Sequence, residues 1–281
     1  MIAVIGGSGL YDFEDLDNRK EIELRSEFGE PSDNAIQGQI AGKNFVFLPR
    51  HGRHHKLNPS EINYRANIES LKRIGVNRII AISAVGSLKE EHFPGKFLIP
   101  DQYIDKTYKR NNTYFEDGCV AHVPFGEPIC ARLSTSISQS MDEINIEHSN
   151  KGIYLCIEGP QFSTKAESKL YKSWGCDIVG MTNMPEAKLA REAGICYSSV
   201  SMVTDYDCWH EDHDSVTVDS IIKTMNNNKE KVRNLLLRLP EHLSQENTCK
   251  SCISNNIESV MTNQEYIDSS IIKKLRHILK N

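Results

Sequence analysis

The sequence predicts an α/β fold: a single domain with a central mixed, largely parallel β-sheet flanked by helices. Short apolar runs end repeatedly in small residues, helical patterns separate several of these runs, and no linker or low-complexity segment divides residues 1 to 240. Strand, helix and strand repeated in this way build sheets with helices packed on their faces. A chain of 281 residues is long enough to bury a core of its own. Residues 1 to 240 are expected to form the domain proper, with 241 to 281 a C-terminal loop and helix packed on the same body.

Residues 2 to 5 form an apolar run ending in Gly6-Gly7-Ser8-Gly9, which reads as a strand feeding a tight turn. Residues 36 to 49 alternate around Ala41-Gly42-Lys43-Asn44 and suggest a hairpin. Tyr64, Ile68, Leu71 and Ile74 then share one helical face, with Ser60 available as N-cap and Gly75 as the stop. Residues 77 to 88, NRIIAISAVGSL, read as the next strand. The same grammar recurs at 152 to 159, 177 to 182 and 195 to 204, with TKAESKLYKSW and PEAKLAREAG as helical patterns between them. Residues 241 to 256 are polar and loop-like, and beyond them Ile271, Ile272, Leu275, Ile278 and Leu279 form an amphipathic stripe.

Composition excludes several function classes. The 33 basic residues are scattered among 38 acidic ones for a net charge of -5, so no basic stripe exists to neutralise a phosphate backbone. The opening residues lack a charged n-region and a long apolar h-region, and no apolar stretch nears the ~18 residues that span a bilayer. A cytoplasmic protein with no nucleic-acid or membrane partner is expected. Eight cysteines are dilute in a chain of this length, and Cys156, Cys176 and Cys196 lie inside apolar runs, as reduced core residues do. Cys249-Lys-Ser-Cys252 is the only close pair. A structural zinc needs about four ligands, and no second pair of suitable spacing follows it.

Ligands gather at the carboxyl ends of strands in such sheets. Those ends are 6 to 9, 50 to 53, 83 to 87, 158 to 160, 181 to 182 and 204 to 207. Gly6-Gly7-Ser8-Gly9 is either a plain turn or a cradle of amides with one hydroxyl for an oxyanion. Arg50-His51-Gly52-Arg53-His54-His55 is either a solvated basic loop or a donor set for a doubly charged anion, since arginine binds phosphate bidentately. Ser83 and Thr182 each add a hydroxyl. In TDYDCWHEDHD, residues 204 to 214, Asp205 and Asp207 point to the same side if the backbone is extended. Two carboxylates so placed suit the edge of a 6-aminopurine, accepting from its N–H donors. The plainer reading is a cap for a helix beginning near Ser215. His210 and His213 lack the HExxH spacing of a metal site.

Taken together, IGGSGLYD, RHGRHH, AVGSL, IEGPQFST, MTNMPEAKLAREAGICYSS and TDYDCW resemble the trimeric purine nucleoside phosphorylase family, and within it the branch that acts on 5'-methylthioadenosine. The resemblance runs in register from residue 1 to about 238, and the last forty residues match poorly. It implies a pentosyltransferase of purine and methionine salvage: phosphate attacks the anomeric carbon of 5'-methylthioadenosine, releasing adenine and 5-methylthioribose 1-phosphate. It implies no cofactor and no metal, phosphate being a co-substrate. Carried over by position, the phosphate site falls on Ser8, Arg50, His51, Ser83, Ala84 through its amide, and Thr182. Met181 meets the ribose hydroxyls through its backbone, Phe162 stacks on the base with Tyr206 beside it, Asp205 serves N7 and Asp207 faces the 6-amino group. Val218 and Ile221 are implied in the 5' pocket, with Ser163 near the base and His122 supplied by a neighbouring subunit of a homotrimer or of a hexamer of paired trimers.

The chain departs from that pattern. Gly180 stands where the methylthioadenosine branch has asparagine, which removes a side-chain hydrogen bond, and Ser8 and Ser83 replace threonines. The departure at Gly180 keeps a second substrate class open, 6-oxopurine nucleosides or methylthioinosine. Family members acting on 6-oxopurines carry asparagine where Asp205 stands, because an amide donates to O6 and an ionised carboxylate repels it. Apolar residues at 218 and 221 favour a methylthio group by only ~1 to 3 kcal/mol. Heat-adapted relatives carry disulfides, which leaves Cys130 with Cys196, and Cys249 with Cys252, as open pairings. A third reading from another class is a metal-binding protein built on His51, His54, His55, His210, His213 and the CxxC.

Overall fold

In the computed structural model the described residues are 1–7, 13, 15–210, 218–243, 249–253 and 258–279. The chain opens with β1 (Ile2–Gly6), buried at every position, as a strand covered on both faces must be. Next come β2 (Asp17–Ile22), β3 (Ala35–Ile40) and β4 (Lys43–Pro49). The β3–β4 hairpin forms where expected, with Ala41 and Gly42 both at positive φ, as a two-residue turn matched to strand twist requires. Helix α1 (Tyr64–Arg73) ends before Gly75, but its N-cap is Asn63, whose side chain accepts from the Ala66 amide. Ser60 is not the cap; its hydroxyl donates instead to the Glu158 carboxylate.

Strand β5 (Arg78–Ser87) is followed by β6 (Phe97–Leu98), β7 (Gln102–Asp105), α2 (Ala131–Glu143), β8 (His148–Ser149) and β9 (Ile153–Cys156). Thr164 and Glu167 form a reciprocal capping box for α3 (Lys165–Ser173). Then β10 (Ile178–Gly180), α4 (Asn183–Glu192) and β11 (Cys196–Asp205) complete the alternation. Helix α5 (Val218–His242) is followed by α6 (Lys250–Ile253) and α7 (Ser269–Leu275). The segment expected to be loop from 241 therefore contains the end of one helix and all of another. The C-terminal stripe is split: Leu275 and Ile278 are buried, while Ile272 is exposed.

The sheet is mixed, with order β2-β3-β4-β1-β5-β10-β9-β7 and β11 pairing β5 and β6. Strands β1, β4, β5 and β11 run parallel, so their carboxyl ends share one edge. Strand β10 runs antiparallel to β5, pairing Ile178 with Ser87 and Val179 with Gly86. The bonded register ends at Val179, and Thr182 follows three residues on as the N-cap residue of α4. Helices pack on both faces, α1 and α4 on one side of β11 and α2 and α5 on the other, over two large apolar clusters. No helix among the described residues is long and apolar enough to cross a membrane.

Candidate active site

Arg50 follows β4 and is buried at 1% exposure. Its guanidinium forms a two-point ion pair with Glu186 of α4 at 2.7 and 2.9 Å and donates to the carbonyls of Ile82 and Ile5. Burial works against the cation, but Glu186 more than offsets it and holds the pKa above the ordinary arginine value. The cation is thus fixed beneath the step from Ile82 to Ser83. Glu186 also accepts from the Tyr197 hydroxyl.

The basic loop divides. His51 is buried, its Nδ1 at 2.9 Å from the Leu57 carbonyl and its ring stacked on His55 at 4.1 Å. Burial, then Arg50, push its pKa down to about 4. With Nδ1–H donated to Leu57, the neutral ring leaves Nε2 as an acceptor. Arg53 turns away to Glu21 and Asp33, and with His54 and Lys56 it lines a separate concavity of about 520 Å³ that contains none of the expected site residues. The donor for an anion in this loop therefore narrows to Arg50, while His51 Nε2 can only accept, as from a protonated phosphate oxygen.

Ser83 and Thr182 are both buried, and the hydroxyl of each is without a hydrogen-bond partner. A buried unpaired hydroxyl costs free energy unless something arrives to bond it. Ala84 follows Ser83, half-buried in β5 opposite Met202. Ser8 lies outside the described residues.

Asp205 ends β11. Its carboxylate accepts from the Thr204 hydroxyl at 2.7 Å and from the Asp207 amide at 2.8 Å. The expectation of an extended backbone is corrected here: Asp207 has φ +49°, and the chain turns back on the Asp205 side chain. The two carboxylates are nonetheless neighbours above Gly86, where an added Cβ would stand 3.0 Å from Asp205 Oδ1 and 3.3 Å from Asp207 Cβ. Burial raises both acids above the usual carboxylate value. For Asp207 the Asp205 charge adds to the rise, while the nearby Ser168 and Ser163 hydroxyls oppose it. Asp207 Oδ2 and Ser163 Oγ are buried and unpaired. Both acids are thus shifted toward their protonated forms.

Phe162 is 47% exposed on the loop whose Ser163 carbonyl accepts from the Cys208 thiol, so the loop sits against the aspartate turn. Tyr206 donates to the Glu90 carbonyl. Met181 is partly buried, and its carbonyl accepts from Arg110 at 2.6 Å. Arg110, which sequence reasoning missed, also donates to the carbonyls of Met184 and Glu158 and pairs with the Glu158 carboxylate. It fastens the ends of β9 and β10 to one another. At Gly180, a Cβ would stand 2.0 Å from the Tyr154 hydroxyl, so Tyr154 fills the space where the resembled family carries an asparagine. His122 is exposed, its amide bonded to Ser259. Ile221 lies in α5, partly buried; the side chain of Val218 and all of His213 lie outside the described residues. Among the described residues, His51, His54, His55 and His210 join no group able to hold a metal ion.

The sequence pattern of the phosphorylase superfamily matches residues 1–241. The chain is 48% identical over 278 residues to S-methyl-5'-thioadenosine phosphorylase of Koribacter versatilis, covering 99% of this chain and 95% of that one. The superfamily match thus ends at 241, while the alignment to this relative extends over nearly the whole chain. Among solved structures it superposes on a methylthioadenosine phosphorylase from an antarctic soil metagenomic library with TM-score 0.92 at 40% identity, covering 99% of this chain and 98% of the other. It is also similar to methylthioadenosine phosphorylase from Schistosoma mansoni in complex with adenine, with TM-score 0.87 at 35% identity over 94% and 99% of the chains.

Proposed function

This chain belongs to the phosphorylase superfamily, and from that premise we propose that it is a pentosyltransferase that cleaves 5'-methylthioadenosine with inorganic phosphate to adenine and 5-methylthioribose 1-phosphate. The observation that carries the reading is the convergence, at one edge of the sheet, of a fixed cation with two unpaired hydroxyls and of two buried carboxylates with raised pKa values. The first set suits an oxyanion, the second a purine edge.

In this mechanism Ser8, Arg50, His51, Ser83, the Ala84 amide and Thr182 hold phosphate beneath the sugar, and Met181 places the ribose through its backbone. A phosphate oxygen forms the new bond at the anomeric carbon as the bond to the purine nitrogen breaks. The purine takes the electron pair, and Asp205 in its protonated form, which burial favours by raising its pKa, gives a proton to N7. Donation to a developing anion in a dry site is where such groups contribute most. Asp207, ionised, accepts from the 6-amino group. Phe162, with Tyr206 and Ser163 beside it, covers the base, while Val218 and Ile221 line the 5' end.

Assembly as a homotrimer fits this reading, because Phe162 is half open to solvent in the single chain and a stacking residue needs a covered partner; His122 of a neighbouring subunit would complete the 5' pocket. A cytoplasmic enzyme using free nucleoside and phosphate, with phosphate as co-substrate and no cofactor, follows from the same chemistry. The test is product identity: adenine and 5-methylthioribose 1-phosphate should form in equal amounts, and only when phosphate is present. Adenine appearing with free methylthioribose, independent of phosphate, would make the protein a hydrolase and remove the anion site from the mechanism.

A further inference from the structure

Far from the aspartates, at the opposite end of β11, four sulfurs meet. Cys130 is the N-cap residue of α2, Cys196 begins β11, Cys249 directly precedes α6 and Cys252 lies within it. All four are buried and none is in a disulfide, and one sulfur from each lies within 4.8 Å of every other. The Cys130 and Cys249 sulfurs are 3.9 Å apart. Thiolates at ~2.3 Å around a tetrahedral zinc stand about 3.8 Å from one another, whereas a disulfide holds its sulfurs at ~2.05 Å. The second ligand pair that the CxxC lacked in sequence is supplied by two residues far upstream of it.

We propose that Cys130, Cys196, Cys249 and Cys252 form a closed structural zinc site, one ion per chain. Four soft thiolates in a tetrahedral set select zinc over harder cations, and with every ligand position filled by sulfur the ion serves structure and not catalysis. Binding releases four thiol protons to solvent and leaves a unit of charge -2. Its surroundings suit that charge. Arg78, buried, feels Cys196, Cys130 and Cys249 as well as Arg132. Cys130 sits at the positive end of the α2 dipole, which favours its thiolate, and the Ser251 hydroxyl is 3.1 Å from the Cys249 sulfur. The ion would pin α6, which lies beyond the superfamily match ending at 241, onto α2 and β11. Because Asp205 is at the other end of a ten-residue strand, roughly 30 Å away, metal loss should act on stability before it acts on chemistry.

The experiment is elemental analysis of the full chain purified under reducing conditions without chelator, together with zinc release by a mercurial thiol reagent followed with a chromogenic chelator. About one zinc per chain, released in step with modification of the thiols, is expected. Cys252→Ser should lose at least tenfold in retained zinc after dialysis against a chelator and should melt at a lower temperature. If that variant does not fold, cobalt added to the metal-stripped wild-type chain decides, since four thiolates give it the intense visible bands of a tetrahedral site. Less than about 0.1 zinc per chain, both as purified and after zinc is added back, overturns the proposal. So does a non-reduced mass two or four daltons low from disulfides among these cysteines, or stoichiometric binding of a metal other than zinc.

Discussion

In the proposed mechanism Asp205 and Asp207 carry the choice of base, and burial shifts both toward their protonated forms. Because burial raises the Asp205 pKa, the acid that serves N7 persists to higher pH than an exposed carboxyl, and activity should fall as pH rises through that value. Raised folded pKa values also mean that ionising these groups opposes folding: their contribution to stability is present below the unfolded value of ~3.9 and lost as pH climbs. Asp205→Asn should therefore lower kcat/KM for the adenine nucleoside by roughly 10²-fold, raise turnover of inosine, and raise Tm at neutral pH; unchanged rates on both substrates would take Asp205 out of the site. Arg50 depends on Glu186 in a comparable way. Glu186→Gln leaves a buried cation without its countercharge, a loss of about 3 to 5 kcal/mol. Added phosphate should then raise Tm more in the variant than in the wild type, as an anion that supplies the missing charge must; an equal or smaller rise would place phosphate elsewhere. That Asp205 and Asp207 lie together was legible in the sequence, although for a geometric reason that the left-handed Asp207 replaces. Glu186 and Arg110 were not, because a buried arginine announces that it needs a carboxylate or carbonyls but not which ones, and Glu186 lies 136 residues from Arg50.

At the scale of elements, strands and helices long enough to show a period were legible and short polar ones were not. Residues 77 to 88 and 195 to 204 read as buried strands and became β5 and β11 nearly to the residue. Strand β2, with five of six residues exposed, had no apolar signal, because an edge strand carrying charge on its open side avoids one. Ser60 looked like a cap on composition alone, but the chain turns three residues later at Asn63. The departure at Gly180 also acquires a reason at this scale. The Tyr154 hydroxyl on the paired strand β9 occupies the space beside it, so the missing side chain is matched by a larger neighbour. Gly180→Ala should lower stability by about 1 to 3 kcal/mol through overpacking, which for a chain this size is a drop of several degrees in Tm, and Tyr154→Leu in the same chain should recover part of it. A Gly180→Ala variant that melts with the wild type would mean that the strands separate more easily than this packing allows.

For the whole molecule, the sheet order explains why residues so scattered in sequence form one site. Four parallel strands bring their carboxyl ends to one edge, and antiparallel β10 pairs with the end of β5 just before the chain reaches Thr182. That gathering was legible because α/β sheets place ligands at strand ends; the pairing of β10 was not, since nothing in a three-residue strand states its direction. The cysteine quartet escaped for a related reason, two of its members being brought in by the start of a helix and the start of a strand. The proposed reaction needs the phosphate site and the adenine-reading pair to act together. Its most direct test is the rate of base release from methylthioadenosine, adenosine, inosine and methylthioinosine, each with and without phosphate. Phosphate-dependent adenine release, fastest from methylthioadenosine, is predicted; faster hypoxanthine release from either 6-oxopurine nucleoside would contradict the assignment of Asp205 and Asp207 as readers of adenine.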